Sequence, residues 1–222
     1  DRDVTGVQTC ALPILVDGSG APGRDADVTF VDGTITEVEK PGKASTAHAH
    51  RIIDADGLLL TPGWVDIHTH YDAQATWDPY LTPSSWHGVT TAVMGNCGVG
   101  FAPAHEERHE WLIELMEGVE DIPGAAMTEG LQWGWTSFTE YMDVLAKQPR
   151  IMDLGVQIAH GALRAFVMGD RGAANESATP DDIAAMSRMV QEAMEHGALG
   201  RSEEHTSELQ SHHDLVCRLL LE

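Results

Sequence analysis

Thr61-Pro62-Gly63-Trp64-Val65-Asp66-Ile67-His68-Thr69-His70 is the stretch on which the reading of this chain turns. Side chains along a strand alternate in direction, so an extended Trp64–Thr69 sends His68 and His70 from one face at its carboxyl end. Two imidazoles a strand step apart form a claw for one divalent metal ion. The competing reading is a solvent-facing strand that happens to carry two histidines. Context favours the claw. Pro62-Gly63 punctuates a turn, Trp64-Val65-Asp66-Ile67 is apolar enough for a buried parallel strand, and the histidines fall where that strand should end. In α/β barrels, catalytic groups gather at such strand ends.

Downstream, the pattern alternates strand and helix. A short helical stretch over Ser84–His87 precedes a β-branched strand at Val89–Met94. Glu106–Gly118 places Trp111, Leu112, Leu115 and Met116 on one side of a helix, and Phe138–Ala146 repeats that spacing. Leu154–Ala159 reads as a third strand. Thr179-Pro180 caps and opens a helix whose core face is Ile183, Met186, Met189, Val190 and Met194, and Ala198-Leu199-Gly200 begins a fourth strand. This order implies an α/β fold: a truncated (β/α)8 TIM-type barrel, represented by its first three to four βα units over residues 62–200. Upstream, residues 15–61 read as part of a small β-sandwich. Val28 and Phe30 alternate with polar neighbours, Asp32-Gly33 marks a hairpin into Ile35–Val38, and Ile52–Leu60 supplies a strand pair around Asp56-Gly57.

The 222 residues carry a formal charge of −22. Two end stretches are set apart first. Residues 4–14 and 201–211 read as translations of a DNA sequencing adapter in its two orientations, and residues 215–221 read as the outer adapter. Codons for His212-His213-Asp214 would hold a barcode whose reverse complement encodes Arg2-Asp3. Residues 1–14 and 201–222 are therefore expected to be adapter-like artefact and are kept out of the fold reading. The remaining 15–200 holds ten basic and twenty-eight acidic residues, a charge of −18. So acidic a chain argues against nucleic acid or an anionic membrane as partner. Setting Cys10 and Cys217 aside leaves Cys97, which admits no intrachain disulfide. With no secretory segment and no membrane-length apolar run, the expected location is cytoplasmic.

Gly95-Asn96-Cys97-Gly98 directly follows the second strand. A thiolate there would face the same barrel mouth as the two histidines, and thiolate with imidazoles is a favourable donor set for zinc. The alternative is a small apolar filler. Taken in order, Val16-Asp-Gly-Ser-Gly20, Asp32-Gly33, Thr61-Pro-Gly-Trp-Val-Asp-Ile-His-Thr-His-Tyr-Asp72, Trp86-His-Gly-Val-Thr-Thr91, Gly95-Asn-Cys-Gly98, His160-Gly-Ala-Leu-Arg164 and Glu192-Ala-Met-Glu-His-Gly-Ala-Leu-Gly200 resemble the amidohydrolase superfamily, specifically its N-acyl-D-amino-acid deacylases.

The resemblance implies that His68, His70 and Cys97 ligate zinc. It implies hydrolysis of a small-molecule N-acyl amino acid, with the metal acidifying water and polarising the amide carbonyl while a carboxylate moves the proton. That catalytic aspartate and two further histidines are expected beyond Gly200, so no catalytic residue is assigned within the chain. Asp72 fits either a cleft-lining, substrate-binding role or a turn-stabilising one. His160 fits either a pocket-facing, substrate-binding role or that of a helix-start or core-satisfied histidine. His87, His105 and His109 read as surface residues. The alternatives are a cyclic amidase of hydantoinase or dihydroorotase type, whose members usually offer lysine where this chain has Cys97, and a non-enzymatic incomplete fragment with an open barrel edge. No oligomeric state follows from the sequence.

Overall fold

The computed structural model describes residues 7–11, 13–46, 49–120 and 122–202. The chain divides into two compact units, Asp1–Gly63 and Trp64–Glu222. The first holds β1 (Val7–Ala11), β2 (Ile14–Leu15), β3 (Arg24–Asp25), β4 (Asp27–Val31), β5 (Thr34–Glu39), β6 (Ala49–Asp54) and β7 (Leu59–Leu60). Four of these form a sheet in the order β5-β4-β1-β6 and three form a second sheet, β3-β2-β7. Asp32 and Gly33 take φ of 48° and 79°, the paired left-handed turn that suits the twist of a two-residue hairpin between β4 and β5.

Two sequence expectations change in this unit. The strands flanking Asp56-Gly57 do not pair with each other: β6 lies parallel to β1 in one sheet and β7 parallel to β2 in the other. The turn is present, with Gly57 at φ 72°, but register with distant strands overrides hairpin closure. Val7–Ala11, set apart as adapter-like, forms a strand between β4 and β6. Ile14 of β2 and Arg201-Ser202 of the strand Gly200–Ser202 also come from the set-apart ends, and residues 1–6, 12 and 203–222 lie outside the described residues. The unit's apolar centre is small: Leu15, Ala26 and Val28 are buried, with Phe30, Ile53 and Leu60 packed against them.

The second unit carries β8 (Trp64–Asp66), β9 (Val89–Met94), β10 (Asp153–Ala159) and β11 (Gly200–Ser202), with α1 (His109–Glu120), α2 (Gly124–Gly130), α3 (Phe138–Lys147), α4 (His160–Met168), α5 (Asp170–Ala173) and α6 (Pro180–Glu195). The sheet runs β8-β9-β10-β11 in sequence order and every neighbouring pair is parallel. That is the order in which βα units open a barrel. Met94, Val156 and Ile158 from the sheet share one buried cluster with Leu112 and Met116 of α1, Tyr141 and Leu145 of α3, Leu163 of α4 and Met186 of α6. The period-3.6 stripes read from the sequence are therefore the faces that cover the sheet. Met194 departs from its stripe and is 45% exposed, in the last turn of α6.

β8 is shorter and wetter than expected. It stops at Asp66, and Trp64, Val65 and Ile67 are 62%, 59% and 73% exposed. The apolar run predicts burial on both faces, but β8 ends the sheet and pairs only with β9 among the described strands. Helices α2 and α5 have no counterpart in the sequence reading, whereas α4 starts at His160, the helix-start position left open for that histidine. The α4 segment begins on His160-Gly161, which reads locally as the end of a strand.

α6 begins as its sequence requires. Thr179 Oγ1 accepts the Asp182 amide at 3.2 Å, and Asp182 Oδ2 accepts the Thr179 amide at 2.8 Å, with Pro180 at the first helical position. The Thr179 amide, the guanidinium of Arg171 and the Thr179 hydroxyl all favour the ionised form, so the Asp182 carboxyl falls from the ordinary 3.8 to about 2. A depressed carboxyl contributes stability above its unfolded value and loses it as pH falls through the folded one. Thermal melts should show wild type more stable than Asp182→Asn near neutral pH, with the gap closing between pH 4 and pH 2. A gap constant across that window would contradict the assignment.

Candidate metal centre

β8 and β9 run side by side and parallel, so the segments that follow them leave the sheet at the same end. His68 stands two residues beyond β8 and Cys97 three residues beyond β9. The strand does not itself carry the histidines, as the sequence reading supposed. Instead the segment after Asp66 stays tied to β9 through Thr69, whose amide and hydroxyl both donate to the Val93 carbonyl, at 2.9 and 2.8 Å. The His68 and His70 rings then lie with centroids 5.5 Å apart and planes inclined by 60°.

Cys97 adopts φ 54°, a left-handed backbone rarely taken by a residue with a Cβ, costing roughly 1–2 kcal/mol. It sits between Gly95 at φ 84° and Gly98 at φ 72°. These three left-handed residues, with Asn96 set between the first two, turn the chain sharply enough to bring Sγ within 3.2 Å of His68 Nε2. One donor atom from each of His68, His70 and Cys97 lies within 4.8 Å of the others. Bonds of 2.0–2.3 Å in a tetrahedral shell place neighbouring N and S donors about 3.5 Å apart, so the trio fits one zinc-sized ion with small adjustments. Soft thiolate with two imidazoles is also the donor chemistry zinc prefers.

The remaining sequence candidates lie close by without joining this cluster. Asp72 is 2% exposed; its carbonyl accepts the Tyr141 hydroxyl at 2.7 Å, and its carboxylate lies against Gly100. A Cβ on Gly100 would stand 3.2 Å from Asp72 Oδ1 and 3.0 Å from the Ala159 Cβ. That glycine gives the carboxylate room at the end of β10. Burial raises the Tyr141 hydroxyl well above its ordinary value, and the Asp72 charge adds to the rise, so the phenol stays a donor. His160 is 3% exposed at the first position of α4, and the next amide, Gly161, donates to the Gly98 carbonyl at 2.8 Å. Of the histidines read as surface groups, His87 is exposed. His105 instead stacks on Phe166 at 3.8 Å and His109 on Trp133 at 3.5 Å. Burial holds His109 below its ordinary pKa.

Sequence reasoning named Asn96 only as part of a motif. The structure buries it to 6% exposure between the two ligand-bearing segments, with its side-chain amide bonded to Thr69, Val93 and Gln157. A buried asparagine immediately before a candidate ligand was the available signal. Among the described residues, no helix is long and apolar enough to cross a membrane.

The chain has relatives among known proteins. The chain is 35% identical over 188 residues to D-aminoacylase from Alcaligenes xylosoxydans xylosoxydans, a match covering 85% of this chain and 35% of that protein. A D-aminoacylase structure solved to define the role of its binuclear metal center superposes with TM-score 0.76 at 29% identity, covering 96% of this chain and 42% of that one. N-acyl-D-glutamate deacylase from Bordetella bronchiseptica, solved with zinc and a phosphonate mimic of the tetrahedral intermediate, gives TM-score 0.67 at 27% identity, covering 90% of this chain and 38% of that one. The chain thus spans about a third of the curated relative's length. The amidohydrolase family model matches residues 51–217, three quarters of the sequence and the whole of the His68, His70 and Cys97 constellation, and the chain belongs to that family.

Proposed function

We propose that residues 15–200 carry the metal-binding entry part of a zinc-dependent hydrolase that removes the acyl group from N-acyl-D-amino acids. The observation that supports this most is the convergence of His68, His70 and Cys97 at the ends of β8 and β9. It occurs in a chain 35% identical to D-aminoacylase. Cys97 in the cluster favours a linear amide over the cyclic-amidase alternative, whose members usually offer lysine as the bridging ligand. The acidic charge agrees with a small-molecule substrate rather than a nucleic-acid or anionic-membrane partner. The first unit reads as part of a β-sandwich, supported by Leu15 and Leu60 of one sheet packing with Val28 and Ile53 of the other.

Bound zinc would supply Lewis acidity, lowering the pKa of water and polarising the amide carbonyl. The chain's own residues account for the rest of what is seen. His68, His70 and Cys97 would hold the ion, and Thr69 fixes both histidines to β9. Asp72, kept at the end of β10 by Tyr141 and Gly100, and His160 at the start of α4 are the substrate-side groups. The proton-moving aspartate of this reading is expected to follow Gly200 rather than to lie within residues 15–200.

Zinc titrated into the metal-free chain should bind at one equivalent, and His70→Ala should abolish that binding. The intact hydrolase containing residues 15–200 should then cleave N-acetyl-D-amino acids. No zinc uptake by wild type, or full turnover in the His70→Ala enzyme, would sink the proposal.

A further inference from the structure

The side chain of Asn96 bonds through both of its N–H groups and through its oxygen, to the two arms that carry the candidate ligands and to β10. Nδ2 donates to the Thr69 carbonyl at 3.2 Å and to the Val93 carbonyl at 2.9 Å, and Oδ1 accepts from Gln157 Nε2 at 2.9 Å. Thr69 lies between His68 and His70, so its two peptide planes border both histidines. The plane joining His68 to Thr69 is held through the Thr69 amide on Val93. The plane joining Thr69 to His70 is held through the Thr69 carbonyl on Asn96. Asn96 is also the residue before Cys97, at the start of the left-handed turn that aims Sγ. One planar amide therefore connects the histidine arm, the cysteine arm and β10. Its burial makes each bond costly to leave unmade, since an unpaired buried carbonyl loses its hydration without replacement.

We propose that Asn96 is a positioning residue for the metal centre: it sets the distance between the His68/His70 arm and Cys97, and Gln157 acts through it by fixing the plane of its amide. This rests on the metal reading of the trio, and it adds a role for two residues that touch no metal. Hydrogen-bonded supports of this kind change metal affinity by roughly ten- to a hundredfold when removed. Asn96→Ala frees the peptide next to His70 and the entry to Cys97 together, so its effect should approach the upper figure. Gln157→Leu leaves both Asn96 donor bonds in place and should cost less.

The test is cadmium titration of the 222-residue chain, followed by the thiolate-to-cadmium charge-transfer band, with thermal melting of the metal-free samples alongside. Wild type should show the band, Asn96→Ala should bind on the order of a hundredfold more weakly and Gln157→Leu about tenfold more weakly. The double variant should bind no more weakly than Asn96→Ala, because the Gln157 side chain acts on the centre through its bond to Asn96. A lowered melting temperature with unchanged affinity would assign both residues to folding alone and overturn the proposal, as would additive losses in the double variant. If Asn96→Ala does not fold, Gln157→Leu decides: unchanged affinity overturns it and a loss supports it. Absence of the band in wild type would instead overturn the metal centre, and this proposal with it.

Discussion

Gly95→Ala should cost about 4 kcal/mol of stability, close to the largest effect a single methyl can have. Two causes add. The residue sits at φ 84°, where a Cβ is strained. That Cβ would also stand 2.1 Å from the Gln157 carbonyl oxygen and 2.9 Å from its carbon, backbone atoms that β10 pairing holds in place. The chain can relieve the overlap only by parting β9 from β10 at the point where the Cys97 turn begins. Urea unfolding compares this with Gly155→Ala, whose Cβ would meet Leu199 at 2.4 Å. Leu199 is a flexible side chain, 59% exposed, and can swing aside. A loss at Gly95 no greater than at Gly155 would show that the β9–β10 contact is looser than described.

Cys97→Ala should weaken zinc binding by about a hundredfold or more, as one anionic donor of three is lost from a site whose binding energy comes from its ligands. Alanine at this position keeps the same left-handed strain and the same neighbours, so the fold should change little. The measurement is zinc affinity by competition with a chromogenic chelator, paired with circular dichroism. Retained affinity would place the thiol outside the centre and leave the histidine pair as an ordinary feature of an exposed segment.

What the sequence shows of this molecule depends on how local each signal is. Val89–Met94, the Thr179-Pro180 helix start and the apolar stripes of α1 and α3 are local patterns, and the structure carries them. Pairing is not local: Asp56-Gly57 reads as a hairpin, yet β6 and β7 answer to β1 and β2. Exposure is not local either, because Trp64, Val65 and Ile67 have the composition of a buried strand and the position of an edge. The motif spacing was enough to gather His68, His70 and Cys97 as candidates. It could not show that Thr69 and Asn96 join their two arms, since those bonds cross from one strand end to the next.

The sequential order of the parallel strands also bears on how the centre comes into being during synthesis. All three donors lie on the segments that directly follow the first two strands of the sheet, and His68 and Cys97 close a loop of only 29 residues. Loop-closure entropy rises slowly with length, so this is a cheap ring to form, and it needs neither β10 nor β11. Once residue 97 has left the ribosome, a nascent chain already holds every donor of the cluster. Metal captured then would staple β8 to β9 before the covering helices are made, and the site would serve as a starting point for the sheet as well as its product.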